Sequence, residues 1–330
     1  MPCTAVGLKT EDGKSILART MDFSGNYEAT LIVVPRLFPQ PLTQETVEKL
    51  PYSYVGMGVV AFNSPNMLDG LNEHGLAGVN NYYNGLAVYN KKAEPGKTPV
   101  TGYMALSYAL STCKSLDEVE DAFKNKITLV ESSSPVLKVD PPLHFMFTDK
   151  SGEAVVIEPD QDGVKIYRNS VGVLTNPPAY SWHETNLRHF LGISRYTPQA
   201  GEIGDKMIEP LGGGGLGLPG DFSSVSRFIR MAYMRKLAFP AKSEDDGVTL
   251  AMHLLDSVNV IKGTVAKSPD SPLHYTFYKS AMCAESGRYF FSHYNDRRLS
   301  VATLGRFDLD AEKLVTIPWS KGQDVRDLNA

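Results

Sequence analysis

Cys3-Thr4-Ala5-Val6-Gly7-Leu8-Lys9, the turn Glu11-Asp12-Gly13-Lys14 and Ser15-Ile16-Leu17-Ala18-Arg19-Thr20-Met21-Asp22 open the chain and decide its architecture. Small, apolar and polar residues alternate through Thr4–Lys9 and Ser15–Met21. The Asp-Gly step between them is a strong hairpin signal, because glycine tolerates the positive φ of tight two-strand turns. The hairpin puts Cys3 at the exposed start of its first strand and returns Arg19 and Asp22 towards it. Only Met1 and Pro2 precede Cys3. Removing both would leave a thiol and a free α-amine on one residue. An α-amine titrates at about 7.7–8, against about 10.4 for a lysine amine. Part of it is therefore unprotonated at neutral pH and can act as a base, so one terminal cysteine carries both nucleophile and proton acceptor.

Outward from the hairpin, Ala29–Pro35 and Tyr54–Val60 read as strands. Gly102–Thr112 is an amphipathic helix, and Ser115-Leu116-Asp117-Glu118 is a capping box opening a helix through about Lys124. Leu143–Thr148, Ala154–Glu158, Gly163–Tyr167 and Gly172–Thr175 form a second strand cluster. Ser181-Trp182-His183-Glu184 predicts another capped helix, to about Leu191, and the Gly- and Pro-rich residues 192–220 a long excursion. Helices follow near Ser224–Leu237 and Asp246–Val258, then strands at His274–Cys283, Tyr289–His293 and Leu299–Thr303. Hairpins replace regular βα alternation, which predicts an α+β fold of antiparallel sheets covered by helices.

The 330 residues are 42% hydrophobic and 21% charged, enough for a sizeable core, and the net charge of −4 with no basic run disfavours nucleic acid as a partner. No stretch of about 18 apolar residues predicts a membrane span, and no charged and apolar leader precedes Cys3, so a cytoplasmic location is expected. Cys3, Cys113 and Cys283 are an odd number without a C-x-x-C pair, which disfavours disulfides and structural zinc. Cys113 and Cys283 read as small buried hydrophobes. The seven histidines are scattered; each reads as a helix-surface or strand residue, and His183 and His189 do not share a helix face well enough for a metal pair. Gly212–Gly215 lacks the Gly-Lys-Ser/Thr ending of a phosphate loop, so no cofactor is expected.

Several blocks together resemble the choloylglycine hydrolase family. They are Cys3-Thr4, Ala18-Arg19-Thr20-Met21-Asp22-Phe23, Asn72-Glu73-His74-Gly75-Leu76, Val173-Leu174-Thr175-Asn176-Pro177-Pro178, and Gly217-Leu218-Pro219-Gly220-Asp221 with Arg227-Phe228 after it. Each is short, but they run in the family's order across nearly the whole chain. The resemblance implies an N-terminal-nucleophile hydrolase: an αββα sandwich of two mainly antiparallel sheets between helix layers, spanning residues 1–330 as one domain. It further implies a removed Met1-Pro2 leader, and it makes residues 188–216 an extended segment reaching a neighbour in a homotetramer. Pro2 departs from relatives that expose the cysteine by losing methionine alone, so here a second cleavage at Pro2–Cys3 is required.

By the same resemblance Cys3 attacks an amide carbonyl and forms a thioester that water hydrolyses. Asp22 holds the terminal amine, and Arg19 lies near the thiol, where a fixed positive charge favours thiolate. Asn176 donates its side-chain NH₂ to the tetrahedral oxyanion, a task suited to an uncharged, pre-aimed donor. Arg227 is the remaining active-site arginine. By sequence alone Arg230 is nearly as good a candidate, and only the Arg-Phe match after Leu-Pro-Gly-Asp favours Arg227. Tyr82, counted without gaps from Asn72-Glu73, falls where bile salt hydrolases carry asparagine and penicillin V acylases tyrosine. Its backbone amide would be the second oxyanion donor and its ring would line the pocket; a shift of one or two positions would substitute Asn81 or Asn80. Pro141-Pro142-Leu143-His144-Phe145 to Glu158-Pro159 and Tyr180–Leu187 also look more like the acylase branch.

The expected pocket residues are Met21, Phe23, Phe62, Tyr82 and the segment Ser132–Val139. The expected substrate is a small-molecule acyl amide of the penicillin V type. The alternatives are a conjugated bile salt hydrolase or an N-acyl homoserine lactone acylase, and, in another class, a non-catalytic binding protein that keeps the fold.

Overall fold

In the computed structural model, residues 3–24, 29–168, 171–319 and 322–329 are described; the Met1-Pro2 leader lies outside the described residues. The opening hairpin is the centre of a six-stranded antiparallel sheet. Its order is Val173–Leu174, Cys3–Lys9, Ser15–Ser24, His274–Cys283, Arg288–His293 and Asp296–Thr303. The middle strands are buried almost throughout, as expected where both faces of a sheet are covered.

A second antiparallel sheet runs Gly163–Arg168, Ala154–Asp160, Leu143–Thr148, Ala77–Tyr82, Asp69–Asn72, Tyr54–Ala61, Thr30–Val34 and Val315–Ile317, with Ser64–Met67 paired to Tyr54–Ala61. One apolar core joins the facing sides of both sheets and the helices Ser224–Leu237 and Glu244–Asp256. Another packs Ala105–Thr112 and Leu116–Asp121 on the outer face of the second sheet. The layers are therefore helix, sheet, sheet, helix.

Two neighbouring strands of the second sheet, Tyr54–Ala61 and Asp69–Asn72, approach closely where glycine allows it. A Cβ on Gly56 would fall 2.1 Å from the Asp69 carbonyl oxygen, so only glycine lets the strand carrying Asp69 lie this close. The strand so placed carries Asp69, 3.8 Å from Arg19.

One helix begins for a different reason than the sequence suggests. The helix spans Tyr180–Asn186 and then tightens through Leu187–Phe190; Ser181 lies inside it, and the cap position, Ala179, has no side-chain acceptor to offer. The first amide, Tyr180 N, instead donates to both oxygens of Glu158, at 3.1 and 3.0 Å. A carboxylate from a distant strand thus satisfies the first amide of a helix that starts one residue before the expected cap. Ser115, the other predicted cap, accepts from Glu118 N, and two further helices are capped locally, Ser223 accepting from Ser226 N and Ser243 from Asp246 N, each worth about 1 kcal/mol.

Candidate active site

Cys3 pairs with Met21, Thr4 with Thr20 and Ala5 with Arg19. Cys3 is not exposed, as its place at a strand start suggested: it is 3% accessible. Val173–Leu174 pairs on the open side of its strand, and Asn176 and Arg227 close over its backbone. Cys3 N donates to Asn176 Oδ1 at 2.8 Å, Arg227 Nη1 donates to Cys3 O, and the thiol lies 3.5 Å from Asp22 O. Because Pro2 precedes it, this nitrogen is a peptide nitrogen with one hydrogen.

Asn176 is held at both ends. Its Oδ1 accepts from Cys3 N and from Arg227 Nη2 at 2.7 Å, and its Nδ2 donates to Tyr82 O at 2.9 Å. An amide nitrogen carries two hydrogens, so one remains to face a reacting oxygen. Arg227 also donates to Thr4 Oγ1 at 2.7 Å and to Phe222 O at 3.0 Å. Burial pushes its guanidinium down to about 10, against the pull of Asp22 and Cys3, so it stays a cation at neutral pH. Arg230 turns away, donating to Ser257 O at 2.8 Å and Asp221 O at 3.1 Å.

Asp22 is fully buried and does not reach the nitrogen of Cys3. Its carboxylate accepts from Thr20 Oγ1 at 3.0 Å and from Thr276 Oγ1. Burial pushes its acid up to about 6, opposed first by Arg227 and then by the two threonines. The expected contact between Asp22 and the nitrogen of Cys3 is therefore not made at this peptide nitrogen, which Asn176 holds instead. Neither Arg19 nor Asp22 is the ordinary surface residue that an isolated hairpin would favour; both are 0% exposed.

Arg19 donates to Leu68 O at 2.6 Å and to Asn81 Oδ1 at 3.2 Å, and lies 3.8 Å from Asp69. Asp69 also accepts from Tyr278 at 2.7 Å and from Tyr289. Burial would lower the Arg19 guanidinium, but Tyr278, Cys3 and Asp69 hold it above its ordinary value. Burial pushes Asp69 up, against Arg19 and the two phenols.

A bulge connects these networks. Thr276 pairs with Asp22 and Tyr278 with Met21, leaving Phe277 unpaired between them. Residues two apart on a regular strand share a face; the extra residue sends Thr276 to Asp22 and Tyr278 to Asp69 on opposite faces.

The thiol opens on a cleft of about 40 Å³ lined by Met21, Phe23, Met67, Tyr82, Tyr103 and Leu137. The rings of Phe23 and Tyr82 meet edge to face at 6.3 Å. Burial and then the charge of Cys3 raise the Tyr82 phenol. Met21, Phe23 and Tyr82 are thus brought together with Ser134 and Leu137 of the expected segment. Phe62 is not. It occupies the two-residue turn between Tyr54–Ala61 and Ser64–Met67, with φ of 51°, and is 86% exposed beneath the Lys138 ammonium. A side chain at a hairpin tip points off the sheet, and Phe62 does not line the cleft at the thiol. A larger groove, about 640 Å³, lies elsewhere against Asp256, Lys279 and Arg297; the smaller cleft is the one that holds the nucleophile.

Asn81, one position before Tyr82, serves the interior: its Nδ2 donates to Thr175 O at 2.8 Å. Asn80 donates to Met67 O. Sequence reasoning missed Asp69, Tyr278 and Thr276, as well as the buried His144 and His183, and weighed Asn81 only as a substitute for Tyr82, not as a partner of Arg19. Only the Asn72-Glu73-His74-Gly75 turn signal could have located the strands that carry Asp69 and Asn81. Cys113 and Cys283 are buried, and burial pushes the Cys113 thiol up to about 11. Among the described residues no group of three His, Cys, Asp or Glu side chains converges to hold a metal, and no helix is long and apolar enough to cross a membrane.

The profile of the linear amide C–N hydrolases, choloylglycine hydrolase family, matches residues 3–317. The bile salt hydrolase/transferase of Clostridium perfringens is 31% identical over 99% of this chain and 100% of its own length. That of Lactiplantibacillus plantarum is 33% identical, over 96% of both. A crystal structure of a variant conjugated bile acid hydrolase from Clostridium perfringens superposes with a TM-score of 0.91 at 29% identity, covering 99% of this chain and 100% of that one. Penicillin V acylase from Agrobacterium tumefaciens superposes with a TM-score of 0.74 at 20% identity, over 96% and 91%. That likeness is one of fold.

Proposed function

The chain belongs to the choloylglycine hydrolase family of linear amide C–N hydrolases, and from that membership we propose that it hydrolyses the amide bond of conjugated bile acids through a thioester on Cys3. The observation that carries the substrate class is the full-length likeness to bile salt hydrolases in sequence and backbone. The penicillin V reading has no comparable support, since the acylase likeness is of fold alone.

Loss of Met1 and Pro2 frees the Cys3 amine. The amine takes the thiol proton as Sγ attacks the amide carbonyl. The free hydrogen of Asn176 Nδ2 and the backbone N–H of Tyr82 receive the oxyanion. The ammonium returns its proton to the leaving nitrogen, the C–N bond breaks, and water attacks the thioester with the same amine as base. Arg227, fixed to Cys3 O and Asn176 Oδ1, keeps nucleophile and oxyanion donor in register. Admitting a steroid requires the segment around Leu137 to move off the narrow cleft. Residues 188–216 include exposed Leu191, Tyr196, Ile203 and Leu211, and we assign them to contacts within a homotetramer.

A second reading, an aryl-acetyl amide such as penicillin V, is favoured by one observation: the edge-to-face pair of Phe23 and Tyr82 beside the thiol suits an aromatic ring better than a steroid. Steady-state kinetics on glycocholate and penicillin V separate the two. We expect the larger kcat/KM on glycocholate; a clear preference for penicillin V overturns the substrate reading and leaves the thioester chemistry standing.

A further inference from the structure

Two buried imidazoles stand behind Asn176, and the chemistry above uses neither. His144, 1% exposed, has Nε2 3.2 Å from Thr175 O and Nδ1 3.1 Å from Glu158 Oε1. Its ring stacks on Tyr83 at 4.6 Å, and the Tyr83 hydroxyl donates to the other Glu158 oxygen at 3.2 Å. His183, 2% exposed, has Nε2 2.9 Å from Asn176 O, with its ring stacked on Phe228 at 4.4 Å. Burial holds His183 down to about 4, so its ring is neutral at working pH. A neutral ring facing a carbonyl oxygen must carry its hydrogen on the facing nitrogen, which fixes the Nε2–H tautomer. Its Nδ1 has no partner among the described residues.

Two successive carbonyls, of Thr175 and Asn176, are thus each met by an imidazole nitrogen. Neither ring touches the thiol or the cleft. The peptide they hold is the one whose side chain meets Cys3 N, Arg227 and Tyr82 O. Its N–H is held as well, donating to Ser224 Oγ at 2.9 Å. A misplacement of about 1 Å in a catalytic group can cost on the order of 100-fold in rate, so a backbone grip of this kind controls how well an oxyanion donor is aimed.

We propose that His183, together with the His144–Glu158 pair, is a positioning residue that fixes the Asn176 backbone and so aims its side chain at the reacting carbonyl. The proposal rests on the reading of Cys3 and Asn176 as nucleophile and oxyanion donor, and not on the identity of the acyl group.

The test compares His183→Gln with His183→Asn. A glutamine amide nitrogen reaches about where imidazole Nε2 lies, whereas that of asparagine stops at the Nδ1 position. Both are polar and uncharged, so a purely structural role predicts similar losses in the two. We expect His183→Asn to lower kcat about 10- to 100-fold with KM within about twofold, and His183→Gln to recover to within about fivefold of the parent. Equal kcat in the two variants, or a parental kcat in His183→Asn, overturns the proposal. If His183→Asn does not fold, His183→Gln against the parent decides, with a loss beyond about 10-fold at parental Tm counting against it. Glycocholate and penicillin V are both assayed. A parent active only on penicillin V defeats the bile acid reading while the Gln-to-Asn ratio still reports on His183.

Discussion

Replacing Asp22 by asparagine is expected to stabilise the unprocessed chain. The buried carboxyl titrates at about 6 in the fold, against an ordinary 3.8, because burial outweighs Arg227, Thr276 and Thr20. The fold therefore binds this proton more tightly than the unfolded chain does. The associated stability is fully present below pH 3.8 and is lost as pH rises through 6, the reverse of an ion-paired carboxylate. At about 1.36 kcal/mol per unit, the shift makes ionised Asp22 cost about 3 kcal/mol at pH 8. Asparagine removes that cost but places an NH₂ against a threonine hydroxyl, worth about 1 kcal/mol in lost hydrogen bonding. The net gain is about 2 kcal/mol. An unfolding entropy of about 2.1 cal/mol/K per residue converts this to a Tm rise of about 3 °C. The assay is thermal unfolding of Cys3→Ala and Cys3→Ala/Asp22→Asn, with intact mass verifying that Met1 and Pro2 remain. The difference should be largest at pH 8 and should shrink as pH falls through 6 towards 4. A lower Tm for the double variant at pH 8, or a difference that does not change with pH, would refute the reasoning.

Other variants probe separate links. Asn176→Ala removes an oxyanion donor and strands Cys3 N and Arg227 Nη2; kcat should fall about 10²–10³-fold, and kinetics within tenfold of the parent would remove Asn176 from the chemistry. Gly56→Ala places a methyl against the Asp69 carbonyl. Backbone must shift, so a loss of about 1–3 kcal/mol is expected in thermal unfolding, and an unchanged Tm would mean the strands are not so tightly opposed. Phe62→Ala should alter stability by less than about 0.5 kcal/mol and leave KM unchanged; a large rise in KM would return Phe62 to the pocket.

The parts of this fold that were legible in the sequence are those whose signals are local. The Asp-Gly turn and the alternation around it gave the hairpin, and hence the approach of Arg19 and Asp22 to Cys3. Helix Ser224–Leu237 and strand His274–Cys283 fall on the expected boundaries, because capping residues and β-branched or aromatic runs mark them. What stayed hidden depends on partners far apart in the chain. Asp69 meets Tyr278 across 209 positions, and the bulge at Phe277 that aims Thr276 at Asp22 has no sequence signature. Ser181 looked like a helix cap because the distant carboxylate of Glu158 could not be foreseen. Cys3 looked exposed because the hairpin alone does not reveal the strand and arginine that cover it. His144 and His183 looked ordinary for the same reason, since their partners are the backbone carbonyls of Thr175 and Asn176, just past the short strand Val173–Leu174.

The central claim is that one sulfur, on a chain shortened to begin at residue 3, carries the acyl group. Rapid acid quenching of the enzyme with glycocholate, followed by intact and peptide mass analysis, tests it most directly. The account predicts a chain lacking Met1 and Pro2 that bears the cholyl group on Cys3 as a hydroxylamine-labile thioester. A chain turning over substrate with Met1 and Pro2 still in place, or an acyl group on any other residue, would contradict it.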